Sequence, residues 1–294
     1  MAKNNAVKSK PSIKKCAIFI LTHKRPEQQI TIATLKKAGY TGDLYLLCDT
    51  QDPTLKQYKK LYGDSVKTFD KKAYVNKFDL MTNDVKFNAV VYARNAVYDV
   101  AKKMGLDYIV VMDDDYSVFY LSVDQTGFYK RTKVTDMDRL ITAHLKFLET
   151  ANLDVLAFAQ GGDFVGGWNG NINKNNFRPL RKAMNVFFLK VSNPIQFNGT
   201  INEDSTMGVQ VAQAGGVVIT NCLVQLEQTT TQKAVGGLTD IYKDAGTYQK
   251  SFYTLIASPS STRVMYQRAV GRVHHLIQGD YAYPRIISAS LKKK

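Results

Sequence analysis

The chain has 294 residues, of which 45% are hydrophobic, enough to bury a substantial core in one large α/β domain or two average domains. No stretch approaches the roughly 20 apolar residues of a membrane helix, and no apolar signal region follows the Lys-rich N-terminus, so we expect a cytoplasmic protein. The cysteines lie far apart beside apolar runs and predict neither disulfides nor a zinc site: Cys16, Cys48 and Cys222.

Charge points to the class of partner. Lys and Arg number 40 against 25 Asp and Glu, and the formal net charge of +15 favours a polyanion, with nucleic acid as the leading candidate. The alternative is a charge that only keeps the protein in solution, because the basic residues are dispersed along the chain. Residues 1–14 and 291–294 are predicted to be flexible basic ends. The sequence does not indicate an oligomeric state.

Two successive strand-to-helix units open the chain. Residues 16–21 form an apolar run typical of a strand covered on both faces, and a helix is predicted from Pro26 to about Lys37. A second strand at 43–48 leads to a helix at 53–62, which favours a doubly wound, mostly parallel sheet flanked by helices. Polar side chains that follow the two strands are candidate site residues: Thr22, His23, Arg25 and Asp49.

The next unit ends in three consecutive aspartates. A helix is predicted at 88–104, and its apolar stripe leaves Arg94 and Asn95 free to point elsewhere. Residues 108–112 form an apolar strand that runs directly into the triplet Asp113 to Asp115. Ligands of open α/β sheets bind at the carboxyl ends of strands, so the triplet stands where a site is expected.

The second half continues the alternation of strands and helices. The pair Thr135 and Asp138 predicts the start of a helix that reaches about Thr150. Residues 160–176 form a Gly/Asn-rich stretch around the only tryptophan, Trp168, and predict a functional or mobile loop. The other predicted elements are strands at 153–159, 184–191 and 217–224, a helix at 203–214, a polar loop at 225–246 and an aromatic helix around Phe252 and Tyr253.

The acidic triplet calls for a compensating cation. Adjacent carboxylates repel one another, and a divalent metal is the simplest explanation for three of them after a buried strand. If the strand geometry persists, Asp113 and Asp115 point to one side and Asp114 to the other, so that one carboxylate can bind a metal while another meets a sugar or ribose hydroxyl. Magnesium or manganese would bridge the diphosphate of a nucleotide donor. An exposed acidic turn is the alternative.

Together these features resemble GT-A glycosyltransferases, with the triplet matching their Asp-x-Asp motif. Asn202-Glu203-Asp204 before an Ala/Gly-rich helix resembles the acidic motif of inverting members. The resemblance implies a metal-dependent enzyme with a Rossmann-like GT-A domain at 15–290, divided into a nucleotide-sugar half at 15–125 and an acceptor half, with a C-terminal extension, at 126–290. It also implies a nucleotide-sugar donor, taken as UDP-linked, and transfer of a hexose or pentose.

The same resemblance assigns roles to individual residues. Asp204 would deprotonate the acceptor hydroxyl during a single inverting displacement, and Glu203 would position the acceptor. Asp115 and Asp113 would bind the metal together with His274 or His275, between which the sequence does not choose. Donor contacts are expected from Thr22, His23, Arg25, Asp49, Arg94, Asn95, Asp113 and Asp114. Each of these residues also has an ordinary structural interpretation, such as a helix N-terminus for the acidic pair.

A narrower resemblance concerns the acceptor. Size, charge and motif order are similar to bacteriophage enzymes that glycosylate hydroxymethylated pyrimidines in DNA, namely TET-associated glycosyltransferases and hydroxymethylcytosine arabinosyltransferases. Such an enzyme must hold the DNA polyanion and stack or reach the target base. The expected acceptor contacts are Trp168, Tyr129, Lys130 and Arg131. Arg263, Arg268 and Arg272, which precede the two late histidines, could hold either the donor diphosphate or a nucleic-acid backbone.

Other functions remain open at this point. The same site could glycosylate a polysaccharide or a protein, or the carboxylates could serve a nucleotidyltransferase or nuclease that uses metal ions for phosphoryl transfer. A DNA-binding protein without catalysis gives no reason for the triplet.

Overall fold

The computed structural model describes residues 15–83, 89–123, 129–160, 182–228, 239–268 and 271–282. In the first part of the chain the elements are β1 Cys16–Leu21, α1 Ile30–Lys37, β2 Leu44–Asp49, α2 Leu55–Tyr62, β3 Val66–Phe69, α3 Val91–Lys103 and β4 Tyr108–Asp113. They are followed by β5 Tyr116–Val123, β6 Tyr129–Lys133, α4 Met137–Thr150, β7 Val155–Gln160, β8 Asn185–Lys190, α5 Glu203–Gln213 and β9 Val218–Gln228. The last elements are α6 Thr239–Ala257, β10 Thr262–Gln267, β11 Arg272–Ile277 and α7 Gly279–Ala282.

One mixed sheet organises these elements. Its nine strands follow the order β3-β2-β1-β4-β8-β7-β9-β5-β6. The first four pair in parallel, β8 is antiparallel to both of its neighbours, β9 is parallel to β7, and β5 is antiparallel to both of its neighbours. Only β8 and β5 therefore run against the other strands, which confirms the predicted fold class. β10 and β11 form a separate antiparallel hairpin.

Helices cover both faces of the sheet. On one face Phe19 and Val111 pack with Val97 of α3, and on the other Ile18 and Val110 pack with residues of α1, α2 and α4. The chain thus winds from β1 through α1 and α2 to β3 on one side and crosses to the other side through α3. The reversal falls between β1 and β4, and this switch point is where a doubly wound sheet opens a crevice for ligands.

Three of the first four strands in the sheet, β1, β2 and β4, confirm the prediction, and β3 was missed. The four-residue edge strand β3 was not expected, and neither were β5, β6, β10 and β11, which lack the uninterrupted apolar runs of the central strands. β6 has the sequence YKRTK, and such a polar composition suits the sheet edge that it occupies. Among the described residues, every helix is too short or too polar to cross a lipid bilayer.

Three boundaries differ from the prediction. The first helix begins at Ile30 rather than Pro26, because the Gln29 side chain donates to Thr22 Oγ1 and to the Arg25 carbonyl and holds a turn there. The predicted polar loop at 225–246 is wrong at both ends, since β9 pairs with β5 as far as Gln228 and α6 begins at Thr239. Residues 161–181, which include the predicted Gly/Asn-rich loop, lie outside the described residues.

The start of α4 has a different cap from the predicted one. Asp136 is the N-cap and its carboxylate accepts a hydrogen bond from Arg139 N at 3.0 Å. Asp138 instead accepts hydrogen bonds from Thr41 N at 2.9 Å and from Thr41 Oγ1 at 2.6 Å. The predicted partner of Asp138, Thr135, is exposed. The capping pair was thus displaced by one residue, and Asp138 joins α4 to the end of the first βα unit.

Replacing Asp136 by Ala should lower the free energy of unfolding by about 1 kcal/mol, because the backbone N–H of Arg139 loses its acceptor. Urea denaturation of the wild-type and variant proteins measures the change. Thr135→Ala is the matched control at the neighbouring position and should leave stability nearly unchanged. A larger loss in the Thr135 variant would mean that the sequence-based assignment of the cap was right.

Candidate active site

The carboxyl ends of three strands meet at one edge of the sheet. Leu21, the last residue of β1, is in register with Leu47 of β2 and with Asp113 of β4. The turn that begins at Thr22, the end of β2 at Asp49 and the aspartate triplet therefore lie next to one another. The convergence of predicted site residues at this edge follows directly from the parallel pairing of β1 with both neighbours.

Asp114 is a buried anchor for the turn after β1. Its side chain is 2% exposed. The carboxylate accepts a hydrogen bond from Thr22 Oγ1 at 2.7 Å and forms an ion pair with Arg25 Nη2 at 3.2 Å. Burial raises the pKa of Asp114, while the nearby Arg25 charge and the Thr22 hydroxyl oppose the rise. Thr22 Oγ1 also lies 2.7 Å from the Tyr58 hydroxyl of α2. These contacts fix the turn against the sheet.

Both carboxylate oxygens of Asp114 have partners inside the protein, and its predicted contact with the donor stays a prediction. Thr22 is equally committed to Asp114 and Tyr58, whereas Arg25 remains partly exposed beside the triplet. A direct donor contact by Arg25 stays a prediction.

The other residues expected around the nucleotide lie close to charged side chains. His23 Nδ1 lies 2.8 Å from Asp52 Oδ2, and the same oxygen accepts from Lys24 N at 2.9 Å. Burial raises the pKa of Asp52, but hydrogen bonds from these groups and from Thr54 outweigh it and lower the pKa below the ordinary carboxyl value. Asp49 is buried with its carboxylate 3.7 Å from the Lys71 ammonium. Donor contacts by His23 and Asp49 stay predictions.

A buried arginine joins the triplet to the second acidic motif. Arg94 of α3 donates from Nε to Glu203 Oε1 at 2.9 Å, and its Nη2 lies 3.4 Å from Asp113 Oδ1. The guanidinium packs over the rings of Phe187 at 4.9 Å and Phe197 at 5.9 Å. The two acidic motifs, which are far apart in sequence, therefore contact the same guanidinium group, that of Arg94.

Charge states in this cluster follow from its burial. Desolvation alone would lower the pKa of Arg94, but Asp113 and Glu203 outweigh it, and the guanidinium stays charged with a raised pKa. Burial raises the pKa of Glu203, and Arg94 opposes the rise. The hydroxyl of Tyr116 lies 3.4 Å from Asp113 Oδ2, and burial followed by the Asp113 charge raises the pKa of that phenol, so it stays protonated and donates.

Asn95 is not available to a donor molecule through its amide. Its Nδ2 donates to the Val91 carbonyl at 3.0 Å and the Phe197 carbonyl at 2.9 Å, and its Oδ1 accepts from Phe197 N at 2.9 Å. A donor contact by Asn95 stays a prediction that these hydrogen bonds do not support. The amide instead fixes Phe197, which packs against the Arg94 guanidinium.

Thr31 is a residue of the site that the sequence did not reveal. Its hydroxyl donates to the Asp113 carbonyl at 2.7 Å and accepts from Tyr116 N at 2.9 Å, and its own N–H donates to the Asp114 carbonyl at 3.1 Å. A fully buried threonine on α1 thus ties both ends of the turn that carries the triplet. A threonine in the first turn of an ordinary helix gives no sequence signal for this role.

Asp115 has the properties of a metal ligand. It is partly exposed, and within the described ranges no other residue forms a hydrogen bond or ion pair with its side chain. Burial, followed by the charges of Asp113 and Asp114, raises the pKa of Asp115 to about 7. A divalent cation would relieve this repulsion. The described residues contain no group of three His, Cys, Asp or Glu side chains that could hold a metal, so the fit is to a hard cation bound by one or two carboxylates plus substrate phosphates.

The two late histidines do not join that ligand set. His275 is buried in β11, where Nδ1 lies 3.2 Å from Asn202 Nδ2 and Nε2 contacts the Lys182 ammonium. Burial and then the Lys182 charge lower the pKa of His275 to about 2, so the ring is neutral. His274 Nδ1 lies 2.7 Å from the His275 carbonyl. Metal ligation by His275 stays a prediction, since its ring nitrogens lie beside the Lys182 ammonium and the Asn202 amide, and the described residues do not place His274 in a ligand cluster.

The N-terminus of α5 presents one free acid. Asn202 has the left-handed conformation, with φ of 58°, and its side chain donates to the Lys250 carbonyl of α6 at 2.8 Å. Glu203 is 4% exposed and is committed to Arg94, whereas the partly exposed Asp204 accepts only from Ser205 N, at 2.6 Å, among the described hydrogen bonds. The contact of Glu203 with the acceptor stays a prediction, and Asp204 is the more exposed of the two acids.

The predicted acceptor contacts are only partly described. Trp168 and the side chain of Tyr129 lie outside the described residues, and Lys130 is exposed on the edge strand β6. The Arg131 guanidinium lies 2.5 Å from Glu227 Oε1 and 4.0 Å from the ring centroid of Tyr120. The structure therefore does not bring this group to the triplet through any described contact, and its role with the acceptor stays a prediction.

The chain matches the family described as TET-Associated Glycosyltransferase over residues 16–237. This span is well over half of the 294 residues, and the chain belongs to that family. The resemblance to this family that the sequence motifs implied is confirmed, and the protein is a glycosyltransferase. Membership removes the nucleotidyltransferase and nuclease alternatives, although it does not specify the acceptor. No curated protein sequence matches the chain.

Several solved structures are similar at low identity. Glucosyl-3-phosphoglycerate synthase from Mycobacterium tuberculosis, solved with Mg²⁺ and UDP, is 8% identical with a TM-score of 0.47, and 90% of this chain and 88% of that chain are covered. GalNAc-T7, solved with UDP, GalNAc and Mn²⁺, is 11% identical with a TM-score of 0.37, and the coverage is 74% and 44%. A cytidylyltransferase from Leptospira borgpetersenii is 12% identical with a TM-score of 0.32, and 61% of each chain is covered. These scores carry no argument about the site.

Thr31→Val should lower the free energy of unfolding by about 1–3 kcal/mol, because it removes the hydroxyl that binds the Asp113 carbonyl and leaves buried backbone groups unpaired. Thr34→Val is the matched control on the same helix, at a buried threonine whose hydroxyl has no described partner. Equilibrium urea denaturation compares the two variants. Equal effects would contradict the role assigned to Thr31.

Proposed function

We propose that the protein is a metal-dependent, inverting glycosyltransferase that moves a sugar from a UDP-linked donor to the hydroxyl of a hydroxymethylated pyrimidine in DNA. One observation supports the single active site above all others: the buried Arg94 contacts both Asp113 and Glu203. The acids expected on the donor side and those expected on the acceptor side are thereby held at a fixed separation in one crevice of the sheet.

Asp115 and Asp113 form the donor side of the proposed site. They would hold a divalent cation, Mg²⁺ or Mn²⁺, which when bound neutralises the charge that develops on the diphosphate leaving group. Asp113 shares its oxygens with Arg94 and Tyr116, so its orientation is fixed before substrate binds. Asp115 has no such partner among the described residues, and its carboxylate is free to meet the cation. A UDP-linked donor is what the GT-A resemblance implies.

Asp204 is the proposed base on the acceptor side. Its partly exposed carboxylate takes the proton of the acceptor hydroxyl while the hydroxyl oxygen bonds to the anomeric carbon and the bond to the diphosphate breaks with its electron pair. Attack from the side opposite the leaving group inverts the anomeric centre. Glu203, buried on Arg94, acts as a positioning residue because it fixes the first turn of α5 from which Asp204 projects.

Charge supports the choice of a DNA acceptor. A net charge of +15 favours a polyanion over a neutral glycan, and the family resemblance points to hydroxymethylated pyrimidines. The reaction would then take place in the cytoplasm of a phage-infected cell. Transfer to a polysaccharide or protein would use the same donor site but would not depend on DNA.

A direct assay incubates the protein and MnCl₂ or MgCl₂ with a panel of nucleotide sugars and with normal or hydroxymethylated DNA. The DNA is digested, and the nucleosides are weighed by mass spectrometry. We expect one nucleoside to gain the mass of a sugar only when the DNA carries hydroxymethyl groups and the metal is present. Donor turnover without any sugar on DNA would contradict the proposed acceptor.

Two substitutions separate the two sides of the site. Asp115→Asn should abolish metal-dependent donor hydrolysis and transfer together, because the cation loses its charged ligand. Asp204→Asn should lower the transfer rate about 10²–10⁴-fold and spare donor binding, which is the effect of removing a general base. Asp64→Asn changes an exposed aspartate outside the site and is the matched control. Full transfer by the Asp204 variant would exclude it as the base.

A further inference from the structure

The β10–β11 hairpin has two faces of opposite character. Its inner face packs on α6 and includes Thr262 and His275, which are 2% and 4% exposed. In the antiparallel register Arg263 is opposite Leu276, and Gln267 is opposite Arg272. Because side chains alternate along each strand, these two pairs lie on the face away from His275. The hairpin is thus attached by one side and presents the other to solvent.

The outer face carries cations separated by apolar side chains. Arg263 and Arg272 are exposed at opposite ends of the ribbon. Met265, between them, is 41% exposed, and Leu276, opposite Arg263, is 46% exposed. Arg268 is also exposed, next to the turn. Guanidinium groups beside small apolar contacts are suited to phosphate oxygens and to the edges of stacked bases.

This cationic surface has no compensating acids of its own. Residues 258–279 contain three arginines and neither Asp nor Glu, although the chain as a whole has 25 acidic residues. Within the ranges that the structure describes, no carboxylate forms an ion pair with any of the three arginines. Three of the 40 basic residues of the chain therefore lie close together here without a described acidic partner.

We propose that the outer face of the β10–β11 hairpin binds duplex DNA, with Arg263 and Arg272 on phosphates and the apolar side chains toward the groove. This inference rests on the proposed function and specifies where its acceptor docks. Two six-residue strands make a ribbon roughly 20 Å long, and the major groove, about 12 Å wide, admits a two-stranded ribbon of this kind.

The inner face of the hairpin connects this surface to Asp204, the proposed base. His275 Nδ1 lies 3.2 Å from Asn202 Nδ2, and Asn202 immediately precedes the first turn of α5 that carries Glu203 and Asp204. The same Asn202 amide donates to the Lys250 carbonyl of α6, on which the hairpin packs. DNA held on the outer face is therefore bound to the structural unit that positions the proposed base.

The double variant Arg263→Ala/Arg272→Ala tests the surface by fluorescence anisotropy with a short labelled duplex over a range of salt concentrations. We expect binding at low salt to weaken about 10-fold or more. The slope of log K against log salt should fall by about 1.8, since each phosphate contact contributes about 0.9. Arg263→Lys/Arg272→Lys keeps both charges and should retain the wild-type slope.

The matched control is Lys102→Ala/Lys103→Ala, which removes two exposed charges from the end of α3 and should bind like the wild type. Metal-dependent donor hydrolysis without DNA should be unchanged in every variant, which shows that the donor site is folded. Equal DNA affinity of the wild type and the Arg263→Ala/Arg272→Ala variant would overturn the inference. A loss of slope in the lysine variant as large as in the alanine variant would also overturn it.

Two further outcomes separate this inference from the proposed function. If the wild type glycosylates DNA but the hairpin variants bind duplex normally, only the docking surface is wrong. If the wild type neither binds duplex nor transfers sugar to it, both the DNA acceptor and the docking surface are wrong.

Self-association is the other possible role of this face. If light scattering shows that the substitutions abolish self-association instead, the face is an interface between two copies of the chain, which contradicts DNA docking.

Discussion

The site depends on one buried arginine, Arg94. Arg94 is almost completely removed from water, and such a charge is tolerated only with close partners of opposite sign, which Glu203 and Asp113 provide. Because α3, β4 and α5 each supply one member of this cluster, none of them can shift without leaving a buried charge unpaired. The same requirement buries Glu203 on Arg94, whereas Asp113, Asp115 and Asp204 remain partly exposed and are the acids to which the proposed function assigns chemistry.

The sequence predicted the parallel half of the fold because its strands are continuous apolar runs covered on both faces. β1, β2 and β4 owe their detection to that pattern, and the turn glycine Gly105 marked the end of the helix before β4. The antiparallel additions were missed for the opposite reason. β5 and β6 lie toward the far edge of the sheet, where one-sided burial permits polar residues such as those of β6, and the pairing of β5 with β9 depends on contacts distant in sequence.

The sequence predicted which candidate residues gather at one edge of the sheet, but not the partners that hold them. The triplet and the pair Glu203 and Asp204 stand out locally, because carboxylates after a buried strand or before a helix need a reason. Which of them face solvent is decided by partners that no local pattern reveals, as with Thr22 and Arg25 on Asp114. His275 was expected at a metal because histidine commonly serves there, but tertiary packing places the Lys182 ammonium and the Asn202 amide beside its ring nitrogens.

The central claim is that Arg94 couples the donor and acceptor acids, and a double-mutant cycle tests it most directly. The free energy of unfolding would be measured for the wild type, Arg94→Met, Glu203→Gln and the double variant. Removing the arginine alone should cost about 3–5 kcal/mol because it leaves buried carboxylates unpaired. The double variant should lose less than the sum of the single variants, with a coupling energy of about 1 kcal/mol or more. Strictly additive losses would contradict the account.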